Sequence, residues 1–247
     1  MFKSSNPILS KIDNNEDVQV LQSQPMTVTG TINKTFILLL IASISAAALV
    51  YQAALGYADK VMSIMTIALI VGLVTGLTTS FVPKFAKFLS PIYAFAEGAV
   101  IAGLTLMAET QFPGIALQAI SATFITFFVL LFLYRTGVIK ATEKFRATIL
   151  TAMIAILIVY LIDIIGSFFG FSVPFLNGSG PVSILASCII CVVAALNLIL
   201  DFDFIEKGAN NLLPKDFEWY ASFGLLVTLV WMYIEILKLL SKLRSND

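Results

Sequence analysis

Histidine is absent from this 247-residue chain. Its absence removes the commonest general base and a principal zinc ligand, so most hydrolytic constellations lack a member and any response to pH rests on carboxyl groups. Charge is scarce too: Asp, Glu, Lys and Arg make up 12% of the residues, against about a quarter in a soluble domain. Fifteen basic and fifteen acidic residues cannot supply the polar shell that a soluble fold of this length needs. The formal net charge is zero, and no basic run is dense enough to act as a phosphate-binding stripe, which argues against a nucleic-acid partner. Cysteine is limited to Cys188 and Cys191. Their C-x-x-C lies inside the apolar run Ile184 to Leu198, where thiols act as small hydrophobes. A nucleotide-binding loop and a zinc-protease helix are missing, and DFDFIEKG lacks the EF-hand glycine. Asp163 and Asp201 could in principle mimic the two aspartates of an intramembrane aspartyl protease, but no motif accompanies them. No enzymatic activity and no cofactor are expected, apart from transient Ca2+.

What the chain has is apolar surface: 59% of its residues are hydrophobic. Seven runs of about 18 to 24 mainly apolar residues each suffice to cross a hydrocarbon core of about 30 Å. They fall near Thr35 to Gln52, Val61 to Phe81, Leu89 to Met107, Gly114 to Tyr134, Ala147 to Phe169, Val182 to Ile205 and Ser222 to Leu240. Continuous runs such as FILLLIASISAAALV exclude the period-2 alternation of a membrane β-barrel, so helices must satisfy the backbone. The expectation is an all-α, polytopic protein in the lipid bilayer: a polar, flexible tail over residues 1–32 and a membrane domain over 33–247. No internal repeat of the kind found in secondary transporters stands out.

Loop charges set the orientation. With alternating loops one side collects most lysines and arginines, from Lys3 and Lys11 through Lys84, Arg135 and Lys140 to Lys207 and Lys215, while Lys60, Lys238, Lys242 and Arg244 fall on the other. The amino terminus is therefore expected in the cytoplasm. The cluster at the carboxyl end runs against this and leaves open a re-entrant last segment with six full spans.

Ionisable residues inside spans cost about 2.5 to 3.5 kcal/mol each on insertion scales, so they need protein partners or a functional reason. Asp163 lies near the outer end of its run, where water reaches a carboxylate. Glu97, beside Gly98 and Gly103, reads as a satisfied carboxylate in close helix packing. Asp201 and Asp203 are two apart, so they diverge on a helix and only one can face a given neighbour. Glu235 has Lys238 three residues on, an intrahelical ion pair; alternatively it faces the bundle centre and meets an acid from another helix.

LNLILDFDFIEKG and the carboxyl-terminal WMYIEILKLLSKL resemble the sixth and last helices of the Bax inhibitor family, in particular a bacterial branch. Asp201 and Ile205 match the first pattern; Tyr233, Ile234 and Glu235 match the second, with Glu235 where many members carry aspartate. SSNP near Ser4, PIYAFAEGAVIAG, and NGSGP at Asn177 to Pro181 are similar to that branch as well. The resemblance implies seven helices with the last one central, in the cell (inner) membrane. It also implies a pH-sensitive calcium leak, or regulation of a membrane protease or cell-death factors as a membrane interaction protein without flux of its own. It carries a gating carboxyl pair onto Asp201 and Glu235, which then become possible weak calcium ligands. Two such carboxyls in low dielectric share a proton when closed and part as pH rises. Asp203 is the substitute partner. The stretch NNLLPKDFEWY makes the link between the two acids longer than in the calcium-leak relatives. The family's arginine near the pair has no clear counterpart, and Lys84 is the nearest basic candidate.

Overall fold

A computed structural model describes residues 24–246; most of the expected tail, with SSNP, lies outside the described residues. Seven long helices follow one another: α1 (Val28–Ala54), α2 (Ala58–Phe81), α3 (Ala86–Gln111), α4 (Ile115–Arg135), α5 (Glu143–Phe168), α6 (Pro181–Asn210) and α7 (Phe217–Arg244). A 3₁₀ turn at Pro83–Phe85 and a single helical turn at Pro174–Asn177 occupy two connections. All seven helices are long and apolar enough to cross a membrane. Among the described residues no strand forms, and an isolated bridge joins Pro25 to Pro214.

The helices outrun the apolar segments because polar residues cap them. Thr27 accepts from Gly30 N at 2.9 Å and starts α1, so α1 begins inside the tail expected over residues 1–32. Thr142 accepts from Phe145 N and starts α5. Pro181 opens α6, where its missing N–H is no loss. Hydroxyls within the spans bond back to their own helix, as Thr75 does to Val71 O at 2.7 Å and Thr79 to Thr75 O at 2.8 Å, which lets them sit at hydrocarbon depth. Large side chains such as Phe132 and Phe168 are exposed, the inverse of a soluble surface and the face that lipid covers.

The last helix runs unbroken for 28 residues, about 42 Å at 1.5 Å per residue. That overturns the re-entrant alternative and puts Gln24, bonded to Lys215, and Asn246, bonded to Ser179, on opposite faces of the bundle. It is also the most enclosed span, with 56% of its apolar window buried, against 6% for α5. α7 packs on α1, α3, α4 and α6, and Tyr160 of α5 reaches it through a hydrogen bond. α2 stands outside, against α1 and α3. At the α1–α3 crossing Gly98 lies so close to α1 that an added Cβ would stand 2.1 Å from Ala42 O, and Ser45 Oγ donates to Phe95 O at 2.6 Å. This is close packing by small residues.

Candidate functional site

The polar residues of the bundle gather along the seam between α6 and α7. On α7, Thr228, Glu235, Lys238 and Lys242 recur at spacings of seven, three and four, one stripe of a helix. α6 meets them with Asn197, whose Nδ2 donates to Thr228 Oγ1 at 2.9 Å, and with Ser187, whose Oγ accepts from Lys242 Nζ at 2.7 Å.

Asp201 lies one turn from Asn197 toward the face on which α1 begins. It lines a cavity of about 430 Å³ together with Arg146 and Met153 of α5 and Gly224 and Thr228 of α7. Its Oδ2 is buried and has no hydrogen-bond partner. Asp203 points elsewhere: Arg146 Nη2 stands 2.6 Å from its Oδ2 and Lys207 Nζ 2.8 Å. The divergence of the two aspartates expected from their spacing thus gives one carboxylate with two cations and one with none. Arg146 belongs to both surroundings.

Glu235 is 2% exposed. Its Oε1 accepts from Tyr160 OH at 2.7 Å and from Lys238 Nζ at 3.2 Å. The expected pairing of Asp201 with Glu235 does not form. The Asn197–Thr228 bond fixes the register of the antiparallel helices; Asp201 lies on one side of that level and Glu235 two turns away on the other. Eleven residues of helix separate them along the axis, about 16 Å at 1.5 Å per residue, too far for one bridging water. Residues 211–216 form the turn between α6 and α7, and Phe217 to Tyr220 continue as the first turn of α7 instead of an interfacial helix. Trp231, packed against Val173, Leu176 and Ile190, lies between the two acidic levels.

Lys84 does not serve as the basic partner. It lies in the 3₁₀ turn with its Nζ over the Phe85 ring at 5.2 Å. Arg146 is the basic group that pairs with Asp203 and shares the cavity of Asp201, and a residue in a cap-to-span transition gave no signal for that in the sequence. Glu97 sits between α2 and α3, its Oε1 3.2 Å from where a Cβ on Gly72 would stand, away from the seam. Asp163 organises the α5–α6 loop: its Oδ1 accepts from Val173 N and from Asn177 Nδ2, each at 2.7 Å. The dissenting charges of the carboxyl end are tied to protein: Lys242 to Leu176 O at 2.7 Å and Arg244 to Pro113 O at 2.8 Å. Cys188 and Cys191 are free thiols. Among the described residues no group of three or more Cys, Asp or Glu could hold a metal ion.

The family model described as Bax inhibitor 1 like matches residues 6–245. The chain belongs to this family. Neither the curated proteins nor the solved structures contain a match. In this Bax inhibitor 1 like chain the sequence located the acids of the sixth and last helices, while Arg146, Asn197, Thr228 and Tyr160, which surround them, were missed. Asn197 carried the one available signal, a lone amide within an apolar run.

Proposed function

We propose that the protein is a calcium leak of the Bax inhibitor type, with Asp201 as the first carboxylate an ion meets. The observation that carries this reading is the buried, unpartnered Oδ2 of Asp201 in a cavity bounded by α5, α6 and α7. Described basic residues such as Lys87, Lys140, Lys144 and Lys215 are on the same face of the bundle as this cavity, so the positive-inside bias makes that face cytoplasmic. A hard carboxylate oxygen is the ligand type calcium prefers, and a single carboxylate, with amide and hydroxyl groups and the Asp203-paired Arg146 around it, binds weakly enough to release the ion. The Asn197–Thr228 bond and Trp231 close the seam between Asp201 and Glu235. An ion that passes them next meets Glu235, displacing Lys238. Deprotonation of Asp201 as pH rises adds a negative charge to a cavity whose lining cation, Arg146, is already paired with Asp203, which gives the leak its pH dependence without a shared proton between two acids.

A second reading is a membrane protein that regulates a protein partner and carries no flux. Lys238 and Lys242 favour it, because two fixed cations stand at the far end of the seam. Calcium flux into liposomes containing only the purified chain separates the two. Under the leak reading flux is present and Lys238→Gln raises it; under the second there is none with either protein.

A further inference from the structure

The turn between α6 and α7 and the start of α7 receive residues 24–27, which precede α1. Met26 N donates to Leu213 O at 2.7 Å, Lys215 N donates to Gln24 O at 2.9 Å, and Pro25 faces Pro214. Met26 is 2% exposed and packs with Phe202, Ile205 and Ala221. Phe202 follows Asp201 on α6 and Ile205 lies one turn beyond it, and Ala221 lines the cavity of Asp201. Gly208 makes room for it, since a Cβ there would stand 2.9 Å from Met26 Sδ. One turn further, Glu218 is 1% exposed. It accepts from Thr27 N at 2.9 Å and from Thr27 Oγ1 at 3.0 Å, and pairs with Lys34. Ser222 Oγ of α7 donates to Thr31 O at 2.8 Å. The turn that receives these contacts holds Leu212 at φ 54, a left-handed conformation that a branched side chain keeps only when its surroundings hold it there.

We propose that residues 24–27 are a strap that fastens the α6–α7 hairpin, so that releasing the strap loosens the hairpin down to the level of Asp201. The physical basis is that one short segment satisfies a carbonyl and an N–H of the turn, fills the space over Gly208 and partners a buried carboxylate. Removing it leaves polar groups unpaired and apolar surface uncovered at the hairpin's closed end. The inference rests on packing alone and does not require ion flux.

Hydrogen exchange of the full-length protein in lipid nanodiscs tests it. Met26→Asn and Glu218→Gln are each expected to speed exchange of amides over 205–224 by about tenfold, the equivalent of roughly 1.4 kcal/mol of local stability. Exchange in α2 and α5 stays as in the native chain, and Met26→Leu exchanges like the native chain. Faster exchange confined to 24–31, or spread equally over all helices, would overturn the strap. A second arm covers variants that fail to fold: Gln24→Cys with Lys215→Cys, in a chain carrying Cys188→Ala and Cys191→Ala. Its oxidised form should exchange more slowly over 205–224 than its reduced form, and equal rates would overturn the proposal.

Discussion

Two glycines show how differently the same residue type is used. At Gly98 a side chain has no room, because Ala42 O of α1 lies 2.1 Å from the Cβ position. Gly98→Val should push α1 from α3 and destabilise by about 1–3 kcal/mol, read as a lower midpoint of thermal unfolding in detergent. Gly224 has nothing within 4 Å of its Cβ position and lines the cavity of Asp201. Gly224→Ala should leave stability nearly unchanged. The sequence disclosed the acids themselves, since charges in apolar runs stand out, but not their partners. Partners depend on where other helices pass. Arg146 became the neighbour of Asp203 only once α5 lay against α6, and Lys84, nearest in the sequence argument, faces Phe85 instead. Glu235 is the residue on which sequence and structure agree for one partner, Lys238, because that contact is intrahelical and fixed by spacing.

At the scale of elements, α5 and the α6–α7 hairpin decide the site. α5 has 6% of its apolar window buried, so polar ties fix its place: Arg146 to Asp203 near one end and Tyr160 to Glu235 near the other. Tyr160→Phe removes a donor from a carboxylate that is 2% exposed, and should destabilise by about 1–3 kcal/mol; thermal unfolding measures it, and no change would mean the tie is idle. In the hairpin, the Asn197–Thr228 bond sets the register. A double-mutant cycle with Asn197→Leu and Thr228→Val should give a coupling of about 0.5–3 kcal/mol, as contacting residues do. Additive effects would deny the bond. All seven helices were legible from their apolar length. Their ends and the α6–α7 register were not, because caps such as Thr27 and Thr142 are polar, and a turn of a few residues offsets two helices by whole turns without changing their composition.

On the scale of the molecule, α7 is enclosed by α1, α3, α4 and α6, with α5 as a thin wall over the seam and α2 outside. The acids are placed at separate levels along that seam, and the charges of the carboxyl end are bound to the loops of the far face. Orientation follows as an expected outcome: a cysteine placed after Arg244 should react with an impermeant reagent in intact cells, while one near Ser4 should not. Whether Asp201 admits calcium from its cavity is decided by calcium flux into liposomes holding only the purified chain, measured across pH. Flux should rise with pH in the native protein and show a flat, low profile in Asp201→Asn. Flux no higher than in protein-free liposomes, or an unchanged pH profile in Asp201→Asn, would contradict calcium entry at Asp201.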